Sequence, residues 1–241
     1  MIKATLMDHM GSDLTVVNAA RVSFGKESHA VAWADYDYEN KARCGDLIAI
    51  LDPKDQKLIR YLAKHNHISP FGHCFASFHV KAPIFVARQL VKHKFLRWNE
   101  ISRRYVDDEL EFYEPDVWRG RSADKKQGSE GVVVVEGMDV GRLYGNPDYV
   151  SSEVCLRAYK FLLEQGVAPE QARMVLPQST MTEWWWSGSL DAFARMCNLR
   201  LPSDTQYETR VVAEQVSKVL GDLFPVSWAS LVPLSVSEEG A

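Results

Sequence analysis

No stretch of this chain approaches the about 18 uncharged apolar residues that a helical membrane span needs. Its opening, MIKATLMDHMGSD, lacks the basic start and unbroken apolar run of a secretory signal. The expectation is a cytoplasmic protein that neither enters nor crosses a membrane. Cysteine is sparse: Cys44, Cys74, Cys155 and Cys197 stand apart with no CxxC spacing. At this length a disulfide scaffold is unnecessary, and free thiols in a reducing compartment fit. A dominant charge of one sign is also missing, because 28 Lys and Arg against 32 Asp and Glu leave a formal charge of −4. No global positive field draws the protein to nucleic acid or anionic lipid, and any basic site must be local. No Pro/Gly/Ser-rich linker and no internal repeat divides the 241 residues. They read as a single domain over 1–241 with an inserted loop or hairpin at 114–152.

Residues 2–7 alternate as a strand with one buried face. Ser12 or Asp13 can cap a following helix that carries Leu14, Val17, Ala20 and Arg21 and ends at Val22 and Phe24. Residues 25–45 read as loop. Leu58, Ile59 and Leu62 make a helical stripe from Pro53 to about Lys64, and Pro70 stops further helix. Cys74–Val80 alternates as a second strand. Pro83 then opens a helix through IFVARQLVKHKF, on which Arg88, Lys92 and Phe95 share one basic edge and Gln89 pairs with His93. Helices are expected at 153–165, at 169–176, over LDAFARMCNLR behind Ser187 or Ser189, and from Asp204 or Thr205 through Leu220. The class is α+β, helix-rich, with a small mixed or antiparallel sheet.

The densest polar segment, 92–105, carries Lys92, Lys94, Arg97, Arg103 and Arg104 with one carboxylate, Glu100, and with His93, Asn99 and Ser102. Such cations hold phosphates by charge-assisted hydrogen bonds, while Asn, Glu and Ser supply the directional groups a base requires. This is a nucleotide or dinucleotide phosphate site, or else a solvated basic helix end. With Trp98 and Tyr105 in the same segment, a module that binds single-stranded nucleic acid by stacking is a further reading, which the overall charge disfavours. His65, His67 and His73 could ligate metal. No carboxylate or cysteine pair at ligand spacing accompanies them, so none is expected.

Lys92-His93-Lys94, seven residues, Ser102 and then Arg104-Tyr105 resemble the signature of flavin-dependent thymidylate synthases, which is Arg-His-Arg, seven residues, Ser and a following Arg-Tyr. Four further blocks are similar to that family in the same order: Ala20 to Phe24, His65 to Gln89, Ala172 to Pro177, and Asn198 to Arg200. With their flanks, about 11–24, 58–113 and 166–212, they cover roughly half of the chain. The segments 25–57 and 114–152 offer no counterpart.

The resemblance implies reductive methylation of dUMP to dTMP, with methylenetetrahydrofolate as carbon donor, FAD as cofactor and NADPH as reductant. It implies that Gln89, Lys92, Glu100, Ser102, Arg103, Arg104, Arg173 and Arg200 bind dUMP. Arg200, the catalytic residue, would sit against the uracil ring and stabilise charge at N3 and O2, so that C5 attacks without an enzyme thiolate. Ser23, His67, Ser69, Lys92, His93, Lys94, Glu100, Ser189 and Arg195 would contact FAD. It further implies a homotetramer with shared sites, Arg200 and Lys92 of one chain facing Ser102 of another. Where the family has two arginines this chain has Lys92 and Lys94, which keep the charge but lose the bidentate fork, about tenfold in affinity for each lost contact. Ser189, Asp191, Arg195 and Asp204 stand where the family more often shows Asn, Arg, Asn and His. Cys74, Cys197 and the Trp184-Trp185-Trp186 run are expected to fill the core, with subunit association as the other role for the tryptophans.

Overall fold

The computed structural model of the chain describes residues 1–35, 47–105, 109–122, 129–133 and 151–233. Cys44 and most of 114–152 lie outside them. Strand β1, Lys3–Met10, leads through Gly11 into helix α1, Asp13–Arg21. Its N-cap is Ser12, whose amide donates to Thr15 Oγ1 at 3.0 Å. A 3-10 turn, Val22–Phe24, follows. The expectation of loop over 25–45 is corrected by a short strand, β2, Ala32–Asp35, which pairs antiparallel with β3, Leu47–Ile50. Four residues are too few for alternation to register in a sequence. Helix α2, Pro53–Lys64, has the expected ends, and its start is fixed because Asp52 Oδ1 accepts from Lys54 N at 2.7 Å and Pro53 needs no partner at the first position. Pro70 does not stop structure but sits near the start of a 3-10 turn, Ser69–His73.

Strand β4, Phe75–Pro83, turns at Pro83 into α3, Ile84–Leu90. The helix expected to run on through Phe95 therefore ends at Leu90, and Phe95 takes a left-handed φ of 71° that no helical residue adopts. Arg88, Lys92 and Phe95 consequently share no helical edge. The chain reverses into β5, Arg97–Glu100, a strand inside the segment read as a basic helix end. Strands β6, Trp118–Arg121, and β7, Ser129–Val133, pair antiparallel. Helix α4, Ser151–Glu164, is followed by α5, Pro169–Ala172, and a 3-10 turn, Arg173–Val175. Strand β8, Met181–Ser189, is absent from the sequence expectation, because three successive tryptophans hide its two-residue period. Helix α6, Leu190–Arg200, starts behind Ser189 as expected. Helix α7, Tyr207–Leu223, begins later than the Asp204 or Thr205 cap expected for it, and α8, Pro225–Leu231, comes after it. Among the described residues no helix is long and apolar enough to cross a membrane.

The main sheet has the antiparallel order β1-β4-β8-β5. On its core face Leu6 lies opposite Phe78, Phe78 opposite Trp186, and Trp186 opposite Trp98. Trp184 and Trp186 are each 1% exposed, whereas Trp185, on the other face, is 45% exposed. The core role expected for the tryptophans thus holds for two of the three. Each buried ring contributes about 1.5–3 kcal/mol through loss of apolar surface to water. Helices α6 and α7 pack against this sheet, and α2 and α8 pack against each other beside it. Gly188 lets the turn before β5 cross β8: an added Cβ would lie 2.5 Å from Leu96 Cδ2 and 3.1 Å from the Phe95 carbonyl.

Candidate active site

At the start of β8 the sheet opens onto a cleft of about 700 Å³. Helix α3 forms one wall because its first two amides are held by the approach to β8, Ile84 N donating to Thr180 O at 2.9 Å and Phe85 N to Gln178 O at 3.2 Å. One turn on, Arg88 lines the cleft. Arg103, just after β5, and Arg173, in the 3-10 turn, line it as well, and Glu100, Glu170 and Thr182 add polar atoms. Arg173 Nε donates to the Glu170 carbonyl at 3.3 Å, which fixes its root. Glu100 is held at both oxygens, Oε1 accepting from Thr182 Oγ1 at 2.7 Å and Oε2 from Trp98 Nε1 at 3.1 Å. Three guanidinium groups suit a phosphate, and the fixed carboxylate suits hydrogen-bond donors.

Of the residues expected to hold substrate, Glu100, Arg103 and Arg173 line this cleft, and Gln89, Lys92, Ser102, Arg104 and Arg200 do not. Arg88, Thr182 and Glu170 line it without having been expected. Arg88 had a usable signal, a cation one helical turn beyond the Pro83 start, but nothing in its local sequence told which neighbour it would face. Ser102 Oγ accepts from Arg104 Nε at 3.2 Å, and the Arg104 guanidinium lies 4.9 Å from the Tyr105 ring centre. Gln89 points from another side of α3 and donates its amide to Gln206 Oε1.

A second polar cluster stands where α6 ends. Arg200 Nε donates to His93 Nε2 at 3.0 Å, so that nitrogen carries a lone pair and the imidazole is neutral with its proton on Nδ1. Burial first, and then the Arg200 charge, pushes His93 down from 6.5 to about 4. A depressed histidine disfavours the folded state only once the unfolded chain binds the proton. This contribution to stability is therefore full above pH 6.5 and is lost as pH falls toward about 4. Spectra of 15N-labelled histidine at about pH 5.5 are expected to show His93 still neutral as the Nδ1–H form, and a protonated ring there would rule the contact out.

Of the residues expected to meet a flavin, Glu100 lines the cleft, and the others, from Ser23 to Arg195, do not. Ser23 is exposed after α1, Ser69 opens a 3-10 turn that packs against α1 and α6, and His67 is exposed with its ring 6.0 Å from Tyr61. Among the described residues Lys92 and Lys94 are exposed and have no acidic partner, which leaves both charges for an anion. Ser189 and Arg195 instead face Asp191, at 2.6 Å and 3.8 Å. No three His, Cys, Asp or Glu side chains converge on a metal position among the described residues. Cys74 and Cys197 are wholly buried, burial pushing Cys74 up to about 12 and Cys197 higher still. Neither can present a thiolate to a substrate. The nucleic-acid reading fails on Trp98, which is stacked on Trp184 at 4.4 Å and so is no platform for a base.

The profile of the family described as thymidylate synthase complementing protein matches residues 5–226, including the segments 25–57 and 114–152 for which motifs offered no counterpart. A flavin-dependent thymidylate synthase of Thermus thermophilus is 38% identical over 226 residues, 93% of this chain and 73% of that one. One from Thermosipho melanesiensis is 36% identical over 228 residues, 94% of this chain and 89% of the relative. Among solved structures, a UMP/dUMP methylase, PolB from Streptomyces cacaoi with bound 5-Br dUMP, superposes with a TM-score of 0.74 at 32% identity, covering 95% of this chain and 94% of its own.

Proposed function

The chain belongs to the family of flavin-dependent thymidylate synthases, and on that premise we propose how its residues divide the methylation of dUMP to dTMP. FAD is the cofactor, with NADPH and methylenetetrahydrofolate as co-substrates. When bound, reduced FAD supplies the hydride that completes the methyl group. The observation that carries the assignment of roles is the cleft itself, which Arg88, Arg103 and Arg173 line together with Glu100. The guanidinium groups hold the phosphate dianion, and Glu100 accepts from the donors of the sugar or base. Arg200, held in plane by His93, lies against the pyrimidine and stabilises negative charge at N3 and O2 while C5 attacks the one-carbon unit. Burial of Cys74 and Cys197 favours this route over thiolate addition at C6. Lys92 and Lys94 pair with the flavin phosphates as point charges, and the Ser189 and Arg195 contacts with Asp191 open when the adenine end binds.

The two halves belong to different subunits of a homotetramer. Arg173 and Glu100 share one cleft that Arg200, His93 and Gln89 do not line, which supports a site that takes its parts from more than one chain. Co-expressing Arg173→Ala and Arg200→Ala chains is expected to restore on the order of a quarter of wild-type turnover from two inactive parents, the share of sites with both halves intact on random mixing. Mixtures as inactive as the parents would overturn the division between subunits. The purified protein is expected to absorb as a flavoprotein, and dTMP made at the full rate by flavin-free protein would overturn the cofactor role.

A further inference from the structure

The core face of the main sheet ends in a device that bears on substrate recognition. Trp98 and Glu100 are two residues apart on β5, so both point to the core face, opposite Trp186 and Trp184 of β8. Two residues beyond Trp184 on β8 lies Thr182, 5% exposed, at the point where the buried surface gives way to the cleft. Trp98 and Thr182 each donate to a different oxygen of Glu100, at 3.1 Å and 2.7 Å.

We propose that Trp98 and Thr182 are positioning residues that clamp the Glu100 carboxylate in one orientation and make it a fixed acceptor for the neutral, donor-bearing part of the nucleotide. The proposal rests on the reading that Glu100 touches substrate. The clamp is stiff for a reason that lies in the core. The Trp98 ring is stacked on Trp184 at 4.4 Å and 17° and meets Trp186 edge-on at 6.0 Å, so its N–H cannot swing without moving two fully buried rings. Thr182 sits inside β8, where backbone pairing and β-branching restrict its side chain.

An ionised carboxylate accepts about four hydrogen bonds. The clamp uses one site on each oxygen, and the remaining sites face the cleft, where a sugar hydroxyl or a base imide N–H can donate. Both clamp donors are uncharged, so they orient Glu100 without cancelling its charge, as an ion pair with a cleft arginine would. The retained charge repels a phosphate from this end. It therefore sets the direction in which a nucleoside monophosphate enters: anion toward Arg88, Arg103 and Arg173, donors toward Glu100.

The test uses the FAD-loaded enzyme and dUMP. Thr182→Val keeps the shape and removes the hydroxyl, and Trp98→Phe keeps an aromatic ring and removes the N–H. Each is expected to raise KM for dUMP about tenfold, with kcat within about twofold and flavin absorbance unchanged. Thr182→Ser, which restores the donor, is expected to return KM to the parent value. Neither substitution should add to the effect of Glu100→Gln in a double-mutant cycle, which a purely structural role would not produce. A Ser variant as impaired as the Val variant, or full additivity with Glu100→Gln, would overturn the clamp. If Glu100→Gln raises KM while Thr182→Val and Trp98→Phe leave it unchanged, the clamp falls and the substrate contact stands. If Glu100→Gln itself leaves KM unchanged, the contact falls and the clamp with it.

Discussion

Arg200→Ala is expected to lower turnover of dUMP by about a hundredfold to a thousandfold while flavin binding stays at the parent level. The reason is geometric as well as electrostatic. Arg200 is the last residue of α6, where the partial negative charge of the helix end favours a cation, and its Nε is already held by His93. The guanidinium is thus fixed before substrate arrives, and charge appearing on the pyrimidine meets a partner that does not need to reorganise. Arg200→Lys keeps the charge but not the planar fork, so it is expected to recover only part of the loss. Steady-state turnover together with the flavin absorbance of each variant decides the matter. An Ala variant within about threefold of the parent in kcat and kcat/KM would remove Arg200 from the chemistry.

Asp13→Ala is expected to cost about 3 kcal/mol, a fall of about 8 °C in Tm for a chain of this size. Asp13 is 1% exposed, and its two oxygens accept from Val226 N at 2.8 Å and Ser227 N at 2.9 Å, the opening amides of α8. Burial pushes its carboxyl above the usual range, while these backbone donors pull the other way. Truncation leaves one buried and one half-buried N–H group with no acceptor at the joint between α1 and α8. Asp13→Asn, which keeps one acceptor, is expected to lose about half as much. Thermal unfolding measures both, and a change below about 1 kcal/mol for the alanine variant would mean that α8 is docked by its apolar contacts alone.

Asp13 also illustrates how far local reading reaches. Its position before an amphipathic run marks a helix start, and α1 does begin there, but Ser12 takes the cap and Asp13 serves a helix more than two hundred positions away. Helix α2 is legible at its start because Asp52 and Pro53 act on their immediate neighbours, and its apolar stripe carries it on to Lys64. Helix α3 is legible only at its start. The sequence from Val91 to Phe95 continues the apolar spacing of a helix, yet Gly188 on β8 admits a left-handed Phe95 there, and the chain turns into β5 instead. The strand itself is hidden because it is four residues long and the residue that shares the face of Trp98 is Glu100, an exposed carboxylate, so no apolar alternation registers.

What the sequence determined by itself is the set of elements whose signals act within about one turn, and the chemistry of the basic segment, since charge, hydrogen-bonding type and motif order do not depend on distant neighbours. The tertiary structure alone decided which of those side chains meet. Arg88, Arg103 and Arg173 come from three separate elements and share a cleft only because α3 is clipped to the approach to β8 and β5 pairs along the same strand. It likewise turned Trp98 from a candidate stacking platform into a half-buried ring, stacked on the core, that donates to Glu100. Side-chain direction in a sheet follows register, and register is set by partners far along the chain that no local window contains.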